Sequence, residues 1–154
     1  MTTRTNSDPR GVVRALRAAH LHDVPPADIL KMACEKVQGW GGPYTSVYAY
    51  MLHGDELALE AHAGRDTDHT RIPVGQGVCG TAVAEQQDQN VPDVGAIGNY
   101  LACNLFTKSE LVVLIRRGAH ILGQIDVDSD VPAGFGEKEY ADVKEIADAL
   151  AVLL

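Results

Sequence analysis

The stretch LVVLIRRGAHILGQIDVD, residues 111–128, holds two extended segments around a single turn. Leu111-Val-Val-Leu-Ile115 is an unbroken apolar run rich in β-branched residues, Arg117-Gly118 is a turn pair, and Ile121 to Asp128 ends in strict apolar and polar alternation. A turn this short joins antiparallel neighbours, because parallel strands need a crossover of about a dozen residues or more. A second hairpin is predicted upstream, with Tyr44 to Leu52 as its first strand, His53-Gly54-Asp55 as its turn, and Leu57, Leu59 and Ala61 alternating in its second strand. Arg71-Ile72-Pro73 and Asn90 to Val94 read as short strands.

Helical spacing frames these strands. Val12, Val13, Leu16 and Ala19 share one face of a helix predicted over 9–21, with Pro9 at an early position. After Pro25-Pro26, a second apolar stripe runs through Ile29, Leu30, Ala33, Cys34 and Val37 and stops at Gly39. Val78 to Glu85 reads as a short helix. A final helix opens at Phe135-Gly136-Glu137 and aligns Tyr140, Val143, Ile146, Ala147, Leu150 and Leu153. The order predicts an α+β fold, an antiparallel sheet with the terminal helices on one face, in one domain over 1–154 with residues 1–8 flexible.

Composition narrows the function classes. The chain has 154 residues, 45% of them apolar, and a net charge of −8. That acidity argues against a nucleic-acid binder. Arg4, Arg10, Arg14 and Arg17 make the first twenty residues locally basic, which reads as a solvated helix face. No apolar run reaches the length of about 18 residues that suggests a membrane span, and the N-terminus lacks a signal-peptide core, so the expected location is the cytoplasm. Three cysteines are too few for a disulfide scaffold. No CxxC, HExxH or regular histidine spacing marks a structural metal site.

The cysteines differ in setting. Cys34 lies on the apolar stripe and reads as inert core. Cys79 falls in Gly75-Gln76-Gly77-Val78-Cys79-Gly80, which matches G-x-G-x-x-G in form. The context opposes a dinucleotide fingerprint, because the preceding run is short and contains Pro73. The glycines instead open a short helix, whose N-terminus is expected to lower the Cys79 pKa. Cys103 lies in a long loop over 95–109 near Lys108, the setting of an accessible and activated thiol. Two such thiols could cycle through a sulfenate and a disulfide. Asp126 and Asp128 are two apart and share a strand face opposite Ile125 and Val127, with Glu110 able to lie across from them. Two readings stand for these acids: an ammonium-binding cluster with one carboxyl of raised pKa, or a solvated sheet edge.

The run from Arg71 to Asp130 resembles the central part of a GAF domain, and its details resemble the free methionine-(R)-sulfoxide reductases. The residues that carry the resemblance are Gly77-Val78-Cys79-Gly80-Thr81-Ala82, Val91-Pro92-Asp93-Val94, Tyr100-Leu101-Ala102-Cys103, Lys108-Ser109-Glu110-Leu111-Val112-Val113 and Gly123-Gln124-Ile125-Asp126-Val127-Asp128-Ser129. The resemblance implies a six-stranded antiparallel sheet with helices on one face, a small pocket on the other, and a homodimer. It implies that Cys103 attacks the sulfoxide sulfur, that Cys79 is a second redox cysteine, and that Glu110, Asp126 and Asp128 hold the free amino acid. No cofactor is implied beyond a thioredoxin-like thiol reductant. His69 stands where many members carry a further cysteine, which leaves Cys79 as the resolving partner. Near Ser46-Val47, where members carry a tryptophan, no ring of that size stands. The competing expectation is a GAF sensor that binds a small ligand without chemistry.

Overall fold

Asp8 sets the start of the first helix: its Oδ1 accepts a 3.0 Å hydrogen bond from the Gly11 amide, and Pro9 occupies a first-turn position whose missing N–H costs nothing. The computed structural model describes residues 6–98, 100 and 105–154. In it, α1 spans Pro9–Leu21 and α2 spans Pro26–Gln38. A first hairpin follows, β1 (Ser46–His53) and β2 (Glu56–Ala63), then β3 (Arg71–Pro73), α3 (Gly77–Glu85) and β4 (Gln89–Val91). After a 3-10 turn at Val94–Ala96 come β5 (Ser109–Arg117), β6 (His120–Ser129) and α4 (Glu137–Leu153).

The six strands form one sheet in the order β3-β2-β1-β6-β5-β4, with every neighbouring pair antiparallel. Both expected hairpins are present and are joined at the sheet centre by the β1–β6 pairing. On one face, the predicted stripes of α1, α2 and α4 pack on Val47, Ala49, Leu111, Val113, Ile115, Ile125 and Val127. The second face is covered as well. There α3 lays Val78, Cys79, Ala82 and Val83 against Tyr48, Tyr50, Val112 and Leu114.

β1 begins at Ser46 and not Tyr44, and two other boundaries differ from the sequence reading for a plain physical reason. β5 begins at Ser109 and not Leu111, because Ser109 is satisfied inside: its Oγ donates to the Val131 carbonyl at 2.6 Å and accepts from the Gly134 amide at 3.1 Å. β4 ends at Val91 and not Val94, since Pro92 has no N–H to continue the ladder. Asp93 then caps the 3-10 turn through its Oδ1 and the Gly95 amide at 2.9 Å. Among the described residues no helix is long and apolar enough to cross a membrane.

Candidate functional site

The site grows from the alternation along β5 and β6. Register places Glu110 opposite Asp128 and Val112 opposite Asp126, so the three carboxylates gather on the α3 face. Glu110 is 4%, Asp126 1% and Asp128 2% exposed. The solvated-edge reading is therefore excluded: the acids are interior.

The loop before α3 brings Cys79 down onto them. Gly75 at φ +94° and Gly77 at φ +63° turn the chain into the helix, in conformations that L side chains rarely adopt. Gly80 allows a close approach, since a Cβ there would lie 2.5 Å from the Pro73 carbonyl oxygen. Cys79, in the first turn, then points its thiol at Glu110, with Sγ to Oε2 at 3.9 Å. The Gln124 side chain fixes this turn from below, its Nε2 donating to the Cys79 carbonyl at 3.0 Å.

The electrostatics correct one expectation. Cys79 is not a thiolate-stabilising position: burial pushes its pKa well up, and the charges of Asp126 and Glu110 push the same way. The partial charge of a helix N-terminus is outweighed by desolvation and adjacent carboxylates. The Asp126 carboxyl is raised from the ordinary 3.8 by burial, against the influence of neighbouring Glu110, Cys79 and Asp128, which acts to lower it. A carboxyl of raised pKa in the cluster, as expected, is present. Cys34 is buried on the helix side and its pKa is pushed up to about 12, mainly by burial.

Several contributing residues were not singled out from sequence. Tyr48 and Tyr50 line the α3 face of β1, and their hydroxyls donate to the carbonyls of Arg65 at 2.7 Å and His69 at 2.8 Å. They tie residues 64–70 across the sheet, and the His62 ring stacks on Tyr48. The missing tryptophan therefore leaves an aromatic wall made of tyrosines. Gln124 and these tyrosines carry a usable signal, since each alternates with other residues of the site face. Arg65 carries none, yet it grips Asp130 with two 2.6 Å hydrogen bonds across 65 residues of sequence and lies over the Phe106 ring at 5.0 Å. Cys103 lies outside the described residues. A cavity of about 10 Å³ lies between Tyr50, His69, Cys79, Glu110 and Asp126.

Residues 27–154 match the GAF domain model. The chain belongs to the GAF domain family. Within it, this GAF domain is 35% identical over 105 residues to the free methionine-R-sulfoxide reductase of Escherichia coli (strain K12), a match covering 68% of this chain and 63% of that protein. The match thus spans less than two thirds of that relative's length. Among solved structures, the type II free methionine-R-sulfoxide reductase from Thermoplasma acidophilum is 34% identical with a TM-score of 0.78, over 92% of this chain and 94% of that one. The free methionine-R-sulfoxide reductase from Neisseria meningitidis, solved in complex with its substrate, is 28% identical with a TM-score of 0.85, over 99% of this chain and 94% of that one.

Proposed function

We propose that this GAF domain reduces free methionine-(R)-sulfoxide to methionine. The observation that carries the reading is the convergence of the Cys79 thiol with three buried carboxyls, in a chain similar to free methionine-R-sulfoxide reductases. A sulfoxide sulfur accepts a nucleophile only when its oxygen is protonated or strongly hydrogen-bonded, so the reaction needs a thiolate and a nearby acid together. Asp126, with its raised pKa, is suited to hold that proton.

The Cys103 thiolate attacks the sulfoxide sulfur while the carboxyl protonates the oxygen. The attack forms a bond between the Cys103 sulfur and the substrate sulfur; the hydroxyl then passes from the substrate sulfur to the Cys103 sulfur as the S–O and S–S bonds break, so methionine leaves with the electron pair of the S–S bond and Cys103 carries the sulfenic acid. The Cys79 sulfur attacks the sulfenic sulfur, and its proton, passed through Glu110, leaves with the hydroxyl as water. A disulfide forms, and a thioredoxin-like dithiol returns two electrons to it. A raised pKa suits Cys79 to this second role, in which it stays a protonated thiol until the sulfenic acid appears. Glu110, Asp126 and Asp128 hold the ammonium group of the substrate.

The protein works as a cytoplasmic homodimer in this reading, without a bound cofactor. The test is an assay of free methionine sulfoxide reduction with dithiothreitol, comparing wild type with Cys103→Ser. Turnover in wild type and its loss in the variant are expected. Ligand binding without turnover in wild type would favour a GAF sensor.

A further inference from the structure

The thiol of Cys79 and one carboxylate oxygen each from Glu110 and Asp126 all lie within 4.8 Å of one another. They come from α3, β5 and β6, 31 and 16 residues apart, so no spacing motif could reveal them. Thiolate and carboxylate are zinc donors, at Zn–S of about 2.3 Å and Zn–O of about 2.0–2.2 Å; around a tetrahedral ion these lengths set sulfur and oxygen about 3.5 Å apart. The 3.9 Å between Cys79 Sγ and Glu110 Oε2 is within a few tenths of an ångström of that separation.

Two further observations point to an occupant. The cavity that these three residues help to line has a volume of about 10 Å³, room for a single water-sized body. Asp126 Oδ1 is fully buried with no hydrogen-bond partner among the described residues. Such an atom in the interior is costly unless something binds it.

We propose that, with Cys79 reduced, this site binds one thiophilic divalent cation of the zinc class through Cys79, Glu110 and Asp126, with water as the fourth ligand. The S–H bond of Cys79 breaks and any proton on the Asp126 carboxyl is released; one sulfur–metal and two oxygen–metal bonds form, the protons leave to solvent, and no electrons change hands. Magnesium and calcium ions prefer all-oxygen shells and gain nothing from the thiolate. The ion claims two of the acids assigned to the substrate ammonium, so it competes with the amino acid; this last step alone rests on the proposed reaction.

The test titrates the reduced full-length protein with zinc chloride by calorimetry, and with cobalt chloride by absorption, where a thiolate ligand gives a near-ultraviolet charge-transfer band. One equivalent bound, the cobalt band present, and affinity at least tenfold weaker in both Cys79→Ser and Asp126→Asn are expected, with Cys34→Ser binding as wild type does. Circular dichroism of each variant separates loss of the ligand from loss of the fold. An absent cobalt band, or zinc binding undiminished in folded Cys79→Ser, overturns the proposal even if methionine sulfoxide is reduced. A Cys79-dependent band in a protein without reductase activity upholds the site and fails only the reaction.

Discussion

Gln124 Nε2 donates to the carbonyl oxygen of Cys79 at 3.0 Å, and both residues are buried. This bond joins the first turn of α3 to the central strand β6 and thereby sets the thiol against the acids. Gln124→Met keeps most of the volume and removes the donor, while the Cys79 carbonyl keeps its place in the helical ladder of α3. A loss of about 0.5–1.5 kcal/mol is expected in urea unfolding, together with slower Cys79 disulfide formation on peptide mapping. Unchanged stability would mean that the turn is held by packing alone.

Thiol reactivity should rank the cysteines. Cys34 is pushed up to about 12 and Cys79 is raised by burial and by Asp126 and Glu110, so neither is a thiolate at neutral pH. Alkylation at pH 7 followed by mass spectrometry is expected to label Cys103 first. Early labelling of Cys34 would contradict its place in the core.

One equivalent of methionine sulfoxide should link Cys79 to Cys103 within a single chain. Peptide mapping under non-reducing conditions would detect the link. A stable sulfenate on Cys103 beside free Cys79 would show that Cys79 does not resolve it, and that the cysteine replaced by His69 had mattered.

Asp126→Asn and Asp128→Asn should each lower kcat/KM for the free amino acid by tenfold to a hundredfold or more, on the basis of about 1.5–3 kcal/mol for a charge-assisted contact. Both side chains point away from the Ile125 and Val127 packing. Peptide-bound methionine sulfoxide, whose amine is tied up in an amide, should be a poor substrate for wild type. Equal activity on both substrates would remove the acids from substrate selection.

Asp126 also makes a pH prediction. Its folded pKa lies above the ordinary 3.8, so its stabilising contribution is full below that value and is lost as pH rises through the folded pKa. Asn mimics the neutral acid. Asp126→Asn should therefore lose less stability than wild type as pH rises above 3.8 in urea unfolding. Parallel curves would refute a raised Asp126 pKa.

The helices were legible because their stripes are long and local. The predicted faces of α1 and α2 are the buried ones residue for residue, and α4 buries Val143, Ile146, Ala147 and Leu150 with Tyr140 and Leu153 half-buried. The acid face was legible because a period of two is local as well. The electrostatic state of Cys79 was not, because it depends on acids 31 and 47 positions away that only the sheet register brings beneath α3. Arg65 and Asp130 were illegible together for the same reason: each alone is an ordinary polar loop residue.

The two covered faces of the sheet make the numbering itself a guide to experiment. Along β1, β5 and β6 the core side chains Val47, Ala49, Leu111, Val113, Ile115, Ile125 and Val127 are odd-numbered, whereas Tyr48, Tyr50, Glu110, Val112, Leu114, Gln124, Asp126 and Asp128 are even. Parity thus separates substitutions on the face packed by α1, α2 and α4 from those on the face that carries the site. A single-residue insertion after Gly123 would invert it, turning Asp126 and Asp128 toward α4 and the aliphatic pair toward the thiol. Such a frameshift in side-chain facing, made with one neutral residue, leaves the charge untouched, yet it should cost the fold and the site together.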